Sequence, residues 1–104
     1  MLYGKLVRDK IPEIIVNNGE APIIKILSDM EYKFELEKKL LEECNEVLAS
    51  SGNDRIEELA DLLEVMISLG KLENKSFDDI VDVCKKKRLK RGGFDKKIYL
   101  SDVK

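Results

Sequence analysis

Histidine is absent from this chain of 104 residues. Without imidazole, proton transfer at neutral pH and hard metal ligation would both fall to carboxylates. Cysteine is scarce: Cys44 and Cys84 stand far outside any metal-type spacing. Their expected state is a pair of reduced core thiols in a cytoplasmic protein. Aromatic residues are few, three Tyr and three Phe, and none interleaves the main basic run, so no stacking platform for nucleic acid is expected. No apolar run approaches membrane-spanning length, and MLYGKLVRDK lacks the apolar core of a signal peptide. Repeats and low-complexity linkers are missing as well. The expectation is a single cytoplasmic domain over residues 1–104, without membrane or nucleic-acid partners.

Charge, in contrast, is abundant. Charged residues make up 38% of the chain, yet 19 basic against 21 acidic side chains leave a net charge of only −2. Such a balance gives no overall pull toward nucleic acid or an anionic membrane. Four acids are spaced in an informative way: Glu43 and Glu46 in KLLEECNEVL, then Glu58 and Asp61 in IEELADLLEV. Residues three apart on a helix share a face, with Cβ atoms roughly 5–6 Å apart. Two such helices side by side would converge four carboxylates on one point. Repulsion there is relieved by a cation, and an all-oxygen site suits Mg²⁺ before Mn²⁺ or Ca²⁺.

An acidic helix face can also be merely solvated, and rotation at about 100° per residue helps to decide. In the first helix, Leu36, Leu40, Leu41, Cys44, Val47 and Leu48 form the apolar arc. Glu35, Lys39, Glu42 and Glu46 lie opposite, with Glu43 at the border, an ordinary amphipathic pattern. The second helix differs. Ile56, Leu59, Leu62, Leu63, Val65, Met66, Ile67 and Leu69 form its arc, and Glu58 projects inside it, with Asp61 at the edge. A carboxylate facing a core is costly unless it is paired with a cation or binds a metal. An ion pair with Lys or Arg is the structural alternative.

The pattern along the chain is helical almost throughout. Ile11 to Val16 reads as one or two turns with Pro12 near the start, stopped by Asn17-Asn18-Gly19. PIIKIL (22–27) reads as an extended segment. Ser28 or Asp29 caps a long helix to about Ser50, with Glu31 in its first turn. Ser51-Gly52-Asn53-Asp54 makes a tight connection to a second helix over about 54–71, which favours antiparallel neighbours. Ser76 and Asp79 form a capping-box start for a third helix. It would carry Phe77, Ile80, Val81, Cys84 and Leu89 inward and end at Gly92-Gly93. Lys97 to Leu100 reads as a short strand. Three main helices leave Phe34, Leu40 and Ile67 on stripes that one neighbour cannot cover. A homodimer or homotetramer is therefore expected.

The basic run 85–91 precedes the glycines. Cations at a helix C-terminus complement its dipole, which is the plain explanation. A phosphate clamp is the functional one, since Arg forks suit phosphate oxygens and Arg88 and Arg91 share a face.

Glu42-Glu43-Cys44-Asn45-Glu46 followed by Glu58-Leu59-Ala60-Asp61 resembles the EExxE…ExxD signature of the all-α nucleotide pyrophosphohydrolases. That superfamily includes MazG, the dimeric dUTPases and phosphoribosyl-ATP pyrophosphohydrolase. The stretch 5–15, KLVRDKIPEII, resembles the opening of a small MazG-like branch, as does KRGGF (90–94) followed by Ile98-Tyr99-Leu100. The resemblance implies an all-α MazG-like helical bundle: three main helices, a short N-terminal helix and short extended terminal segments. It implies that Glu43, Glu46, Glu58 and Asp61 bind Mg²⁺, with Mn²⁺ as a substitute. Glu42 would bind a further metal or orient the attacking water. Arg8, Lys10, Lys90 and Arg91 match its charged ends and are candidates for phosphate contact. The implied activity is hydrolysis of a nucleotide between its α- and β-phosphates, releasing pyrophosphate. The alternatives are phosphoribosyl-ATP pyrophosphohydrolase itself, of histidine biosynthesis, and a non-catalytic helical interaction module.

Overall fold

Local signals account for where each helix begins and ends. The computed structural model describes residues 4–104. The first helix, α1 (Ile11–Asn17), carries Pro12 in its first turn, where a missing N–H costs nothing. It stops at Gly19, whose φ of +84° lies in the left-handed region open to glycine. Residues 20–28 form neither helix nor strand, and Ile23 and Ile26 stand in solvent.

A reciprocal cap opens α2 (Asp29–Ala49). The Glu31 N–H donates to Ser28 Oγ at 3.2 Å, and the Ser28 N–H donates to Glu31 Oε1 at 3.1 Å. Two orphan donors of the first turn are thereby satisfied. Its C-terminus is tied to the next helix: the Ser50 hydroxyl donates to the Val47 carbonyl at 3.0 Å, and Arg55 Nε donates to the Ser50 carbonyl at 2.9 Å. The connection is tighter than the sequence suggests. The third helix, α3 (Gly52–Leu72), starts ahead of the expected Asp54, because Gly52 takes a φ of +58° and turns the chain directly into the helix. The two long helices form an antiparallel hairpin.

The core of this hairpin is thin. Leu36 and Val65 are the buried residues, 3% and 5% exposed, with Leu40, Cys44 and Val47 of α2 and Leu62, Ile67 and Leu69 of α3 half-buried. Leu41, Leu48, Ile56 and Phe34 are mostly exposed. The expected apolar arcs are therefore wider than the single seam the hairpin closes. Leu40 and Ile67, expected on uncovered stripes, are partly covered, whereas Phe34 is not.

The last helix, α4 (Phe77–Arg91), also starts in a reciprocal cap: the Asp79 N–H donates to Ser76 Oγ at 3.1 Å, and the Ser76 N–H to Asp79 Oδ2 at 2.9 Å. Only its first turns meet α3. Gly70 lets the Ile80 side chain approach so closely that a methyl group at position 70 would overlap it. Ile80 and Val81 are half-buried, while Phe77, Cys84 and Leu89, expected to face inward, are exposed. After Val83 the run of Lys and Arg leaves α4 without an apolar stripe to pack. Cys84 is accordingly an exposed free thiol and not a core one.

Beyond Gly92, the Lys97 N–H closes a turn on the Phe94 carbonyl at 3.1 Å, and Lys97 takes a φ of +58°. The strand expected over 97–100 does not form. Ile98, Tyr99 and Leu100 are exposed, and no other strand among the described residues offers a ladder to join. The described chain is all-helical, as expected. None of its helices is long and apolar enough to cross a membrane.

Candidate metal centre

Three of the four spaced carboxylates meet where α2 and α3 lie side by side. Glu43 comes from α2, Glu58 and Asp61 from α3, and one oxygen of each lies within 4.8 Å of the others. All three residues are half-buried. Glu46, the expected fourth member, is exposed and stands outside the trio. It is still close enough for its charge to act on Glu58.

Glu58 holds its proton more tightly than an ordinary glutamate. Loss of solvent around it is the largest cause, followed by the negative charges of Glu46, Asp61, Glu43 and Asp54. Its neighbours have cationic partners. Arg8 Nη2 donates to Asp61 Oδ1 at 2.7 Å, and Lys39 Nζ lies 3.9 Å from Glu43 Oε1. Among the described residues Glu58 has neither a hydrogen bond nor an ion pair. Negative charge is thus compensated at Glu43 and Asp61 and has no cationic partner at Glu58.

The donor set fits a hard divalent ion. Carboxylate oxygens are the ligands Mg²⁺ takes from proteins, and it usually keeps several waters besides one or two of them. Oxygens within 4.8 Å of one another need only small side-chain rotations to reach a common ion with bonds of about 2.0–2.1 Å.

Other expected site residues are placed differently. Glu42 is exposed on a neighbouring flank of α2, where it lines a shallow groove of about 220 Å³ with Lys5, Leu6 and Lys38. The N-terminal segment thus crosses α2 at Lys5-Leu6 and reaches α3 through Arg8. Arg8 is at the site, though on a carboxylate. Lys10, Lys90 and Arg91 are exposed, and none forms a side-chain hydrogen bond or ion pair among the described residues. Lys39 is the residue that pattern reading assigned to the solvent side. It is half-buried, and its i,i+4 spacing to Glu43 is the signal that marks it.

No family model and no solved structure matches the chain. An uncharacterised protein of Mycolicibacterium smegmatis is 48% identical over 51 residues, which cover 49% of this chain and 52% of that protein. The chain thus spans about half the length of the relative it matches.

Proposed function

We propose that this chain is a Mg²⁺-dependent nucleotide pyrophosphohydrolase that acts in the cytoplasm as a homo-oligomer, converting a nucleoside triphosphate or related nucleotide to monophosphate and pyrophosphate. The observation that carries the reading is Glu58: a half-buried carboxylate without a cationic partner, with one oxygen within 4.8 Å of oxygens of Glu43 and Asp61. The EExxE…ExxD pattern of residues 42–61, which includes the same three acids, supports it. Glu43, Glu58 and Asp61 would hold the ion, with Glu46 joining by side-chain rotation. When bound, Mg²⁺ supplies charge neutralisation at phosphate oxygens and a more acidic water.

The remaining steps belong to the chain's own groups. A bond forms between water oxygen and the α-phosphorus, the bond from that phosphorus to the bridging oxygen breaks, and pyrophosphate leaves. The water's proton passes to a carboxylate that does not hold the ion, for which the outlying Glu42 is the candidate. Arg8, placed at the site by its bond to Asp61, would contact substrate phosphate, with Lys10, Lys90 and Arg91 as further candidates.

One arrangement favours a second reading. Arg8 on Asp61 and Lys39 beside Glu43 are what a purely structural ion-pair network would also contain. A non-catalytic interaction module built on such a network would melt at the same temperature with or without divalent ions. Titrating Mg²⁺ and Mn²⁺ in a thermal-melt assay separates the two: the metal reading predicts stabilisation that grows with ion concentration. A nucleotide panel that includes phosphoribosyl-ATP then separates the general activity from the histidine-pathway alternative.

A further inference from the structure

We infer that the groove where residues 4–6 cross α2 seats the ribose of the nucleotide, and that Glu35 makes the site selective for ribonucleotides over 2′-deoxyribonucleotides. The groove encloses about 220 Å³, and its walls include Lys5, Leu6, Glu35, Lys38, Lys39 and Glu42. A pocket that encloses a drug-sized ligand measures roughly 300–1,000 Å³, so this groove takes one part of a nucleotide and not the whole. Charge decides which part. The carboxylates of Glu35 and Glu42 repel a phosphate, and the lysines repel a second cation. A sugar suits both signs, because its hydroxyls donate to carboxylates and accept from ammonium groups. Leu6, half-buried, offers an apolar surface to the carbon face of the ring.

Position agrees with that assignment. Lys39 lines the groove and also lies 3.9 Å from Glu43 Oε1, so the groove and the carboxylate trio adjoin at that side chain. In a nucleotide, an ester oxygen and the C5′ methylene are all that separate the α-phosphorus from the ring. An α-phosphate held at the trio therefore leaves the sugar at the groove, with Lys39 at the junction. Glu35 precedes Glu43 by about 12 Å along α2, at 1.5 Å per residue. An ion, a phosphate and a furanose in series fill such a gap. Glu35 is half-buried, and among the described residues it has neither a hydrogen bond nor an ion pair. A partly desolvated acceptor of this kind gains from a donor. Its two oxygens match the vicinal 2′- and 3′-hydroxyls of ribose, and a 2′-deoxyribose leaves one of them without a donor. Glu42, on the same wall, stays available for the water's proton.

The inference rests on the hydrolase reading above, and its test separates the two. The probes are ribose 5-phosphate and 2-deoxyribose 5-phosphate, each titrated with Mg²⁺ into the isotope-labelled native chain and into Glu35→Ala, with amide NMR as the readout. Ribose 5-phosphate should bind the native chain at least about tenfold more tightly, the worth of one charge-assisted hydrogen bond, and shift amides of residues 4–6 and 35–42. Glu35→Ala should abolish the difference by weakening ribose 5-phosphate alone. Equal affinity of the native chain for the two sugars, or binding of neither, overturns the inference without recourse to a variant. A preference that survives in Glu35→Ala overturns it too, as do shifts confined to the basic run 85–91. Pyrophosphate release from ribo- and deoxyribonucleoside triphosphates is measured alongside. Release at equal rates from both overturns the inference and leaves the hydrolase reading standing. No Mg²⁺-dependent release from any nucleotide overturns that reading, whichever sugar phosphate binds.

Discussion

At the scale of single residues, Glu58 has the clearest consequences. Its proton affinity is raised in the folded chain, so folding costs more when the group must be ionised. The penalty is absent below the ordinary glutamate range and grows as pH rises through the raised folded value. Glu58→Gln should therefore be more stable than the parent at pH 7 in the absence of metal, with the difference closing as pH falls below about 4.3. Paired thermal melts across pH read this directly. The same variant should lose metal-dependent stabilisation and turnover together. Arg8 gives a prediction of opposite sign for metal. Its guanidinium holds Asp61 at 2.7 Å, and a divalent ion bound to that carboxylate would compete with it. The bridge is exposed, so it is worth roughly 0.5–1 kcal/mol, and Arg8→Ala should tighten the Mg²⁺ midpoint about two- to fivefold. Weaker metal binding in that variant would mean that Arg8 supports the site instead of competing for it. Glu58 was legible in the sequence because an acid inside an apolar arc is a contradiction. Arg8 was legible as a candidate for phosphate contact through the resemblance of its segment, but nothing in its spacing tells which carboxylate it meets.

At the scale of elements, the caps show how local chemistry decides boundaries. Ser28 with Glu31 and Ser76 with Asp79 could be read before any fold was known, because each bond spans three residues. Ser76→Ala should cost about 1 kcal/mol, measurable by denaturant titration. Its effect should concentrate on α4, which leans on little besides Ile80 and Val81. The cap also holds Asp79 below the usual carboxylate range, so that part of its stability is present at neutral pH and lost as pH falls through the lowered value. Tertiary placement was less readable: Leu89 and Cys84 fit an inward stripe by spacing, but the lysines between them prevent the helix from lying down. The strand expected over 97–100 failed for a similar reason, since alternation specifies a strand only when a partner ladder exists. The basic end of α4 is the candidate phosphate clamp, and Arg91 carries its terminal charge. Arg91→Ala should then lower hydrolysis at least about tenfold, the loss of one charge-assisted bond, while leaving Mg²⁺ affinity unchanged. Normal turnover per folded molecule, with a small loss of stability, would assign Arg91 to the helix dipole alone.

At the scale of the whole molecule, the chain is unusually open. Its radius of gyration is 18.0 Å, against about 13 Å for a compact domain of 100 residues. Helical class and the α2–α3 hairpin follow from periodicity and a short connection. The dimensions do not, because apolar arcs state how much surface must be covered and not by what. Three acids of the candidate site came together for the same reason the hairpin did: an antiparallel pair with a short link fixes which levels of the two helices are adjacent. Glu42 and Glu46 share the sequence motif but are exposed, Glu42 on a neighbouring flank of α2 and Glu46 outside the trio. The proposed reaction is nucleotide hydrolysis by Mg²⁺ held on these carboxylates. Pyrophosphate release from a panel of nucleoside triphosphates and related nucleotides, measured with and without Mg²⁺ for the native chain and for Glu58→Gln, tests it. Release should require Mg²⁺, produce the matching monophosphate and disappear in Glu58→Gln. Release by Glu58→Gln at the native rate, or no Mg²⁺-dependent release from any nucleotide in the panel, would contradict it.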